Sequence, residues 1–270
     1  MVIKVDNVDK NGKIGIFDSG IGGVTVFKEI LKVLPKEKYI YYSDSLNNPY
    51  GNKTDEQIYE FSCNIINIFI KKGCKAVVIA CNTASAKVAN RLRDEYIDIV
   101  IVAIEPAYKM VHDFAYDKAT LVMATEGTIK SEKFNKLYNK YNNQKTYLLS
   151  CSGLADLIEK DKLDEVDEYL QKTIGKYKGN IENIVLGCTH YPLIKDKISS
   201  VIGNVNFFDG ASSLAIHLKD MLIIKKLLNE NDFNDENDFC NEIDKIDEIE
   251  FIDSSGSLKK EERFYKILKE

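Results

Sequence analysis

From Lys13 onward, short runs of β-branched and aromatic residues alternate with stretches in which apolar positions recur at helical spacing. KIGIFD is followed by a helical VTVFKEILKVL, then YIYYSD, then a longer helix through IYEFSCNIINIFIKKG. KAVVIA runs into Cys81, a helix follows through ASAKVANRLRDEY, and IVIVAI forms the next strand before Glu105-Pro106. The second half repeats the scheme: KATLVMA, a helix after Thr128, KTYLLS, helices to about Gly179, and IENIVLG running into Cys188. Continuous apolar strands separated by helices predict an α/β fold whose mostly parallel sheets are covered on both faces.

The two halves share a local echo. AVVIACNTAS at 76–85 resembles NIVLGCTHYP at 183–192, each a buried strand ending on a cysteine with polar residues after it. The echo is short, but it has a geometric meaning, because α/β folds place ligands at the carboxyl ends of their strands. Two such ends facing each other would bring two thiols to one cleft. After Asp209 a helical stretch, SSLAIHLKDMLIIKKLL, leads into an acidic, Asn-rich run over 229–250, read as a solvated loop or partly disordered insertion. A strand, IEFID, and a basic helix, LKKEERFYKIL, close the chain, and the pattern leaves open which half they pack on.

The 270 residues suffice for a substantial core. A formal net charge of −5 offers no basic face for nucleic acid or an anionic bilayer, so neither is an expected partner. The first residues, MVIKVDNVDKNGK, lack an apolar targeting core, and no run approaches the length of a membrane helix, so a cytoplasmic location is expected. A homodimer is compatible with the sequence, which does not dictate oligomeric state. The six cysteines, at 63, 74, 81, 151, 188 and 240, form no C-x-x-C pair and read as reduced thiols.

Candidate chemistry gathers at the strand ends. In Phe17-Asp18-Ser19-Gly20-Ile21-Gly22-Gly23 the glycines permit a tight turn whose N–H groups, with the Ser19 hydroxyl, suit an anion; a plain tight turn reads equally well. Asn48-Pro49-Tyr50-Gly51 is either a rigid turn presenting Tyr50 and the Gly51 amide or an ordinary surface turn. Cys81-Asn82-Thr83 and Cys188-Thr189-His190 place each thiol where a helix N-terminus lowers a thiol pKa. Asn82, Thr83 and Thr189 are donors suited to a carboxylate, and His190 and Asp18 are candidate proton partners. Either cysteine alone could be a small buried apolar residue; the escorted pair argues for function. Thr125 and Thr128 are further candidates for the cleft, with Thr128 also explained as a helix cap. His112 and His217 read as surface or packing residues, Cys63, Cys74 and Cys240 as structural, and Cys151 as ambiguous.

These residues carry a resemblance. IGIFDSGIGGVTV at 14–26, PYGNKT at 49–54, VIACNTAS at 78–85, IEPA at 104–107, ATEGT at 124–128 and LGCTHYP at 186–192 are similar to the glutamate racemases of the aspartate/glutamate racemase superfamily. The resemblance implies two pseudo-symmetric α/β domains with the substrate between them: residues 13–105 with about 210–270, and residues 106–209, after a short extension at 1–12. It implies interconversion of L- and D-glutamate for peptidoglycan, with no cofactor and no metal. Cys81 and Cys188 would be the acid/base pair, with Cys81 acting on D-glutamate, Cys188 on L-glutamate, and Asp18 and His190 tuning them. Asp18, Ser19, Tyr50, Gly51, Asn82, Thr83, Thr189 and His190 would hold the substrate.

His190 favours glutamate over aspartate, since related aspartate racemases typically carry Glu there. One departure stands out: family members often read C-P-x-F-V-P-L-V-E where this chain has Cys151-Ser152-Gly153-Leu154-Ala155-Asp156-Leu157-Ile158-Glu159, with the terminal Glu159 kept in register. Rival readings are an aspartate racemase, a decarboxylase using one cysteine, and a non-catalytic amino-acid-binding regulator.

Overall fold

A computed structural model describes residues 8–229 and 249–270. The acidic run, with Cys240, falls almost wholly outside them. Among the described residues nine strands lie in two sheets, and every pairing between them is parallel.

The first sheet has the order β4-β3-β1-β2-β9, from β1 (Lys13–Asp18), β2 (Tyr39–Ser43), β3 (Cys74–Ile79), β4 (Val100–Ala103) and β9 (Glu250–Asp253). The pleat sorts its side chains. Ile14, Ile16, Ala76, Val78 and Ala80 face a core closed by α1 (Val24–Val33), α10 (Ala211–Ile224) and α11 (Leu258–Lys269). Phe17, Val77, Ile79 and Cys81 face the opposite core, under α2 (Asp55–Lys71) and α3 (Asn82–Glu95). Cys74 and Cys63 belong to that second core, as small apolar side chains would. The C-terminal elements, whose side the pattern left open, complete this sheet: β9 pairs with β2, and Phe264 and Leu268 enter the core beside Phe27.

The second sheet, β6-β5-β7-β8, contains β5 (Thr120–Ala124), β6 (Thr146–Ser150), β7 (Asn183–Gly187) and β8 (Asn206–Phe208). One face packs on α7 (Leu154–Glu159), α8 (Leu163–Ile174) and α9 (Lys195–Ile202), the other on α4 (Tyr108–Ala115) and α6 (Glu132–Tyr141). The chain passes between the sheets before α4 and again before α10. These crossings touch: a Cβ added to Gly210 would lie 2.3 Å from the Glu105 carbonyl oxygen. The stretch after Thr125 differs from its reading. A four-residue α5 (Glu126–Ile129) precedes α6, and the cap is Thr125, whose hydroxyl accepts the Thr128 N–H; Thr128 is inside the turn.

Candidate active site

β1, β3 and β7 end at one place, and their end residues meet in a small cavity. Ser19, Asn48, Tyr50, Gly51, Cys81, Asn82 and Thr83 line it from the first half of the chain. Thr125, Ala155, Cys188, Thr189 and His190 line it from the second. Nine of the ten residues expected from sequence are therefore on one wall or another. The tenth, Asp18, is fully buried just behind.

Asp18 joins the halves. One carboxylate oxygen accepts the Gly20 N–H at 3.0 Å, and the other accepts the Thr189 hydroxyl at 3.1 Å. Burial, more than these partners can offset, raises its pKa. Space here is tight enough to require glycine. A Cβ on Gly22 would stand 2.5 Å from His190 Nδ1 and 2.7 Å from the Thr189 hydroxyl.

Cys81 caps α3, and its thiol faces the Ser19 hydroxyl at 3.7 Å. The sequence argument expected the helix terminus to lower its pKa. Burial instead pushes the thiol up to about 12, the Asp18 charge adds to this, and the Ala84 N–H and Ser19 offset only part. Desolvation beats the dipole because the thiol is almost sealed from water. Cys188 differs in setting, since Thr189 and His190 separate it from a short 3-10 turn at Tyr191–Ile194, ahead of α9. Its sulfur lies 3.7 Å from His190 Nδ1.

His190 leads to a residue that the sequence singled out only for being in register. Its Nε2 is 2.8 Å from Glu159 Oε2, which also accepts the Ile21 N–H at 2.9 Å. The other oxygen, Oε1, accepts from Lys260 Nζ at 3.0 Å. Arg263 donates to the Glu159 and Ile158 carbonyls at 2.6 and 2.8 Å. Burial works against the imidazolium, yet bonds to Cys188 and Glu159, and their charges, hold the His190 pKa well above 6.5. Burial likewise opposes the Glu159 carboxylate, but His190, Ile21 and Lys260 bring its pKa down to about 2. The pair is thus charged at neutral pH.

The other wall is neutral. Thr83, Thr125 and Thr128 form a hydroxyl cluster, with Thr125 at 2.9 Å from each of the other two. Buried Asn82 Oδ1 has no hydrogen-bond partner, an unmet capacity in a lining residue. Tyr50 is less free than its motif suggested: its hydroxyl donates to Asp44 Oδ2 at 2.5 Å, and the ring packs near Phe61. No group of three or more His, Cys, Asp or Glu able to hold a metal occurs among the described residues. Cys151, ambiguous in the sequence, is buried at the end of β6 near Tyr191.

Two thiols from different sheets meet in one small cavity of this α/β enzyme, one of them beside a charged His–Glu pair. The chain belongs to the Asp/Glu/Hydantoin racemase family, which it matches over residues 14–218. It is 44% identical over 218 residues to a glutamate racemase of Clostridium perfringens, covering 79% of this chain and 84% of that protein. A glutamate racemase of Clostridium novyi is 43% identical over 224 residues, 81% and 86% of the two chains. Among solved structures, the Francisella tularensis glutamate racemase in complex with D-glutamate has a TM-score of 0.76 at 28% identity, covering 97% of this chain and 95% of that one. The Escherichia coli glutamate racemase with L-glutamate and an activator has a TM-score of 0.71 at 28% identity, over 78% and 83%.

Proposed function

We propose that this protein interconverts L- and D-glutamate by proton transfer between Cys81 and Cys188, and that the D-glutamate formed serves peptidoglycan synthesis. The observation that carries the proposal is that both thiols line one cavity, from strand ends in different sheets. Racemisation requires removal of the α-proton from one face and delivery to the other, which two opposed groups do without turning the substrate over. One thiol acts as thiolate while the other acts as thiol, and the roles exchange with direction. Cys188 takes the proton of L-glutamate beside His190, and Cys81 takes that of D-glutamate.

Ser19, Tyr50, Gly51, Asn82, Thr83, Thr189 and His190 hold the carboxylates and the amino group. The unpaired Asn82 oxygen suits an ammonium donor. Asp18, fixed by Gly20 and Thr189, orients the substrate and tunes Cys81. Fixed donors around a nearly closed cavity stabilise the carbanionic transition state. Neither pyridoxal phosphate nor metal enters this scheme. We take residues 13–105 with about 210–270 as one α/β domain and 106–209 as the other, in a cytoplasmic enzyme with no nucleic-acid partner. Among the described residues no helix is long and apolar enough to cross a membrane.

The test is racemisation in heavy water, followed over the first few per cent of turnover. Early D-glutamate made from L-glutamate should carry deuterium at the α-carbon while recovered L-glutamate stays largely unlabelled. Product that retains the original proton would refute the two-thiol scheme. Glutamate left unturned, with aspartate racemised, would refute the substrate.

A further inference from the structure

The C-terminal helix does more than cover a sheet. Four groups, drawn from the turn after β7, from α7 and from α11, stand in a row: Cys188, His190, Glu159 and Lys260, with successive separations of 3.7, 2.8 and 3.0 Å. His190 and Glu159 are almost sealed, with side chains 2% and 6% exposed, whereas Lys260 is 29% exposed. When Cys188 is a thiolate the row alternates in sign and sums to zero. Without Lys260 the same row would carry one buried negative charge, and Glu159 Oε1 would lose its cation.

We propose that Lys260, on α11, is a positioning residue for proton transfer at Cys188, acting through Glu159 and His190 by balancing the charge of the row. This rests on the two-thiol reading above. As Cys188 takes the α-proton of L-glutamate it becomes a neutral thiol, and the electron pair of the broken C–H bond stays on the α-carbon until Cys81 protonates it. His190 keeps its proton throughout, and Lys260 keeps Glu159 ionised as its partner. The other charged or titratable groups around Glu159 are Asp18 from the end of β1, Tyr41 from β2, and Arg263 from α11, which holds main-chain carbonyls and Asp161. Among the described residues, Lys260 is the lysine that reaches the carboxylate.

The sign follows from the charge. Replacing Lys260 by Met removes a positive charge beside the row, which disfavours the thiolate and favours the imidazolium. Because the two enantiomers are equal in free energy, kcat/KM must fall by the same factor in both directions. We expect a fall of about three- to tenfold near neutral pH in Lys260→Met, with the low-pH limb of the kcat/KM profile displaced upward by roughly half a unit, a size set by a partly screened charge. Lys260→Arg should restore both. Lys266→Met, on an exposed position of the same helix, should change neither.

Since Phe264 and Leu268 anchor α11 in the core, Lys260→Met should melt close to wild type. An activity-independent readout uses 13C-labelled histidine: the buried His190 signal should titrate at higher pH in Lys260→Met than in wild type. If wild type racemises glutamate and Lys260→Met matches it in kcat/KM and profile, the proposal fails and the glutamate reading stands. If His190 titrates identically in both proteins, the proposal fails whatever the substrate. A loss of activity in Lys260→Met that Arg does not restore also overturns it.

Discussion

Glu159→Gln probes the charged pair on which the active site depends. Each pH unit of displacement corresponds to about 1.36 kcal/mol. A carboxyl lowered from 4.5 to about 2 therefore contributes roughly 3 kcal/mol to folding. With its side chain 6% exposed, solvent screening discounts this little, and the figure agrees with the about 3–5 kcal/mol lost when one partner of a buried pair is removed. The depressed Glu159 pKa gives stability present above 4.5 and lost as pH falls toward 2. The raised His190 pKa gives stability present below 6.5 and lost as pH rises through its folded value. Both conditions hold between 4.5 and 6.5, so the advantage of wild type over Glu159→Gln should peak there. Urea unfolding at a mildly acidic pH, at about pH 3 and at about pH 9 measures it. A difference under about 1 kcal/mol at the peak, or one that does not change with pH, would refute the assignment of a charged pair.

Other expectations concern the site directly. Cys81→Ala and Cys188→Ala should each cut racemisation, followed by circular dichroism, by several orders of magnitude, while Cys63→Ala stays near wild type; near-normal turnover in either of the first two would remove that thiol from the mechanism. Gly22→Ala should lower kcat/KM at least tenfold with the fold retained, because its methyl would meet His190 Nδ1 at 2.5 Å and His190 must move; unchanged kinetics would show that this contact does not position the ring. Exhaustive dialysis against a chelator should leave activity intact, and recovery of lost activity by added metal or pyridoxal phosphate would contradict the cofactor-independent scheme.

Much of this architecture is legible in the sequence because parallel strands buried on both faces leave unbroken apolar runs, as in KAVVIA and IENIVLG. The strand-end motifs then mark the cavity. Less legible is what reaches it from afar. Lys260 and Arg263 read as part of an ordinary basic helix, since their bonds to Glu159 span 101 and 104 residues and leave no local pattern. Glu159 was visible only as a residue kept in register. Lys75 is the second residue of an apolar strand yet is completely buried, held by Glu37 at 2.6 Å and by the Lys10 and Leu227 carbonyls, partners that spacing along the chain does not announce. β8, with three residues, is too short for periodicity to register. The ionisation of Cys81 was misjudged for a similar reason: the helix terminus is a local feature, whereas burial is a property of the assembled fold.

The place of β9 has a consequence for how the protein is made. Its strand at 250–253 is the edge partner of β2 at 39–43, so the first sheet that begins to emerge from the ribosome is the last to be completed. The second sheet, by contrast, uses an uninterrupted stretch from Thr120 to Phe208. At about 5–20 residues added per second, the interior sheet has several seconds to assemble while the strands before it wait with an open edge. That edge is an invitation to pair with other nascent chains. β9 covers that edge of β2, and α11, which follows it, carries Lys260. Without β9 and α11 the β2 edge would stay open and the site would lack Lys260, so the cover of that edge and the charge beside the site arrive together.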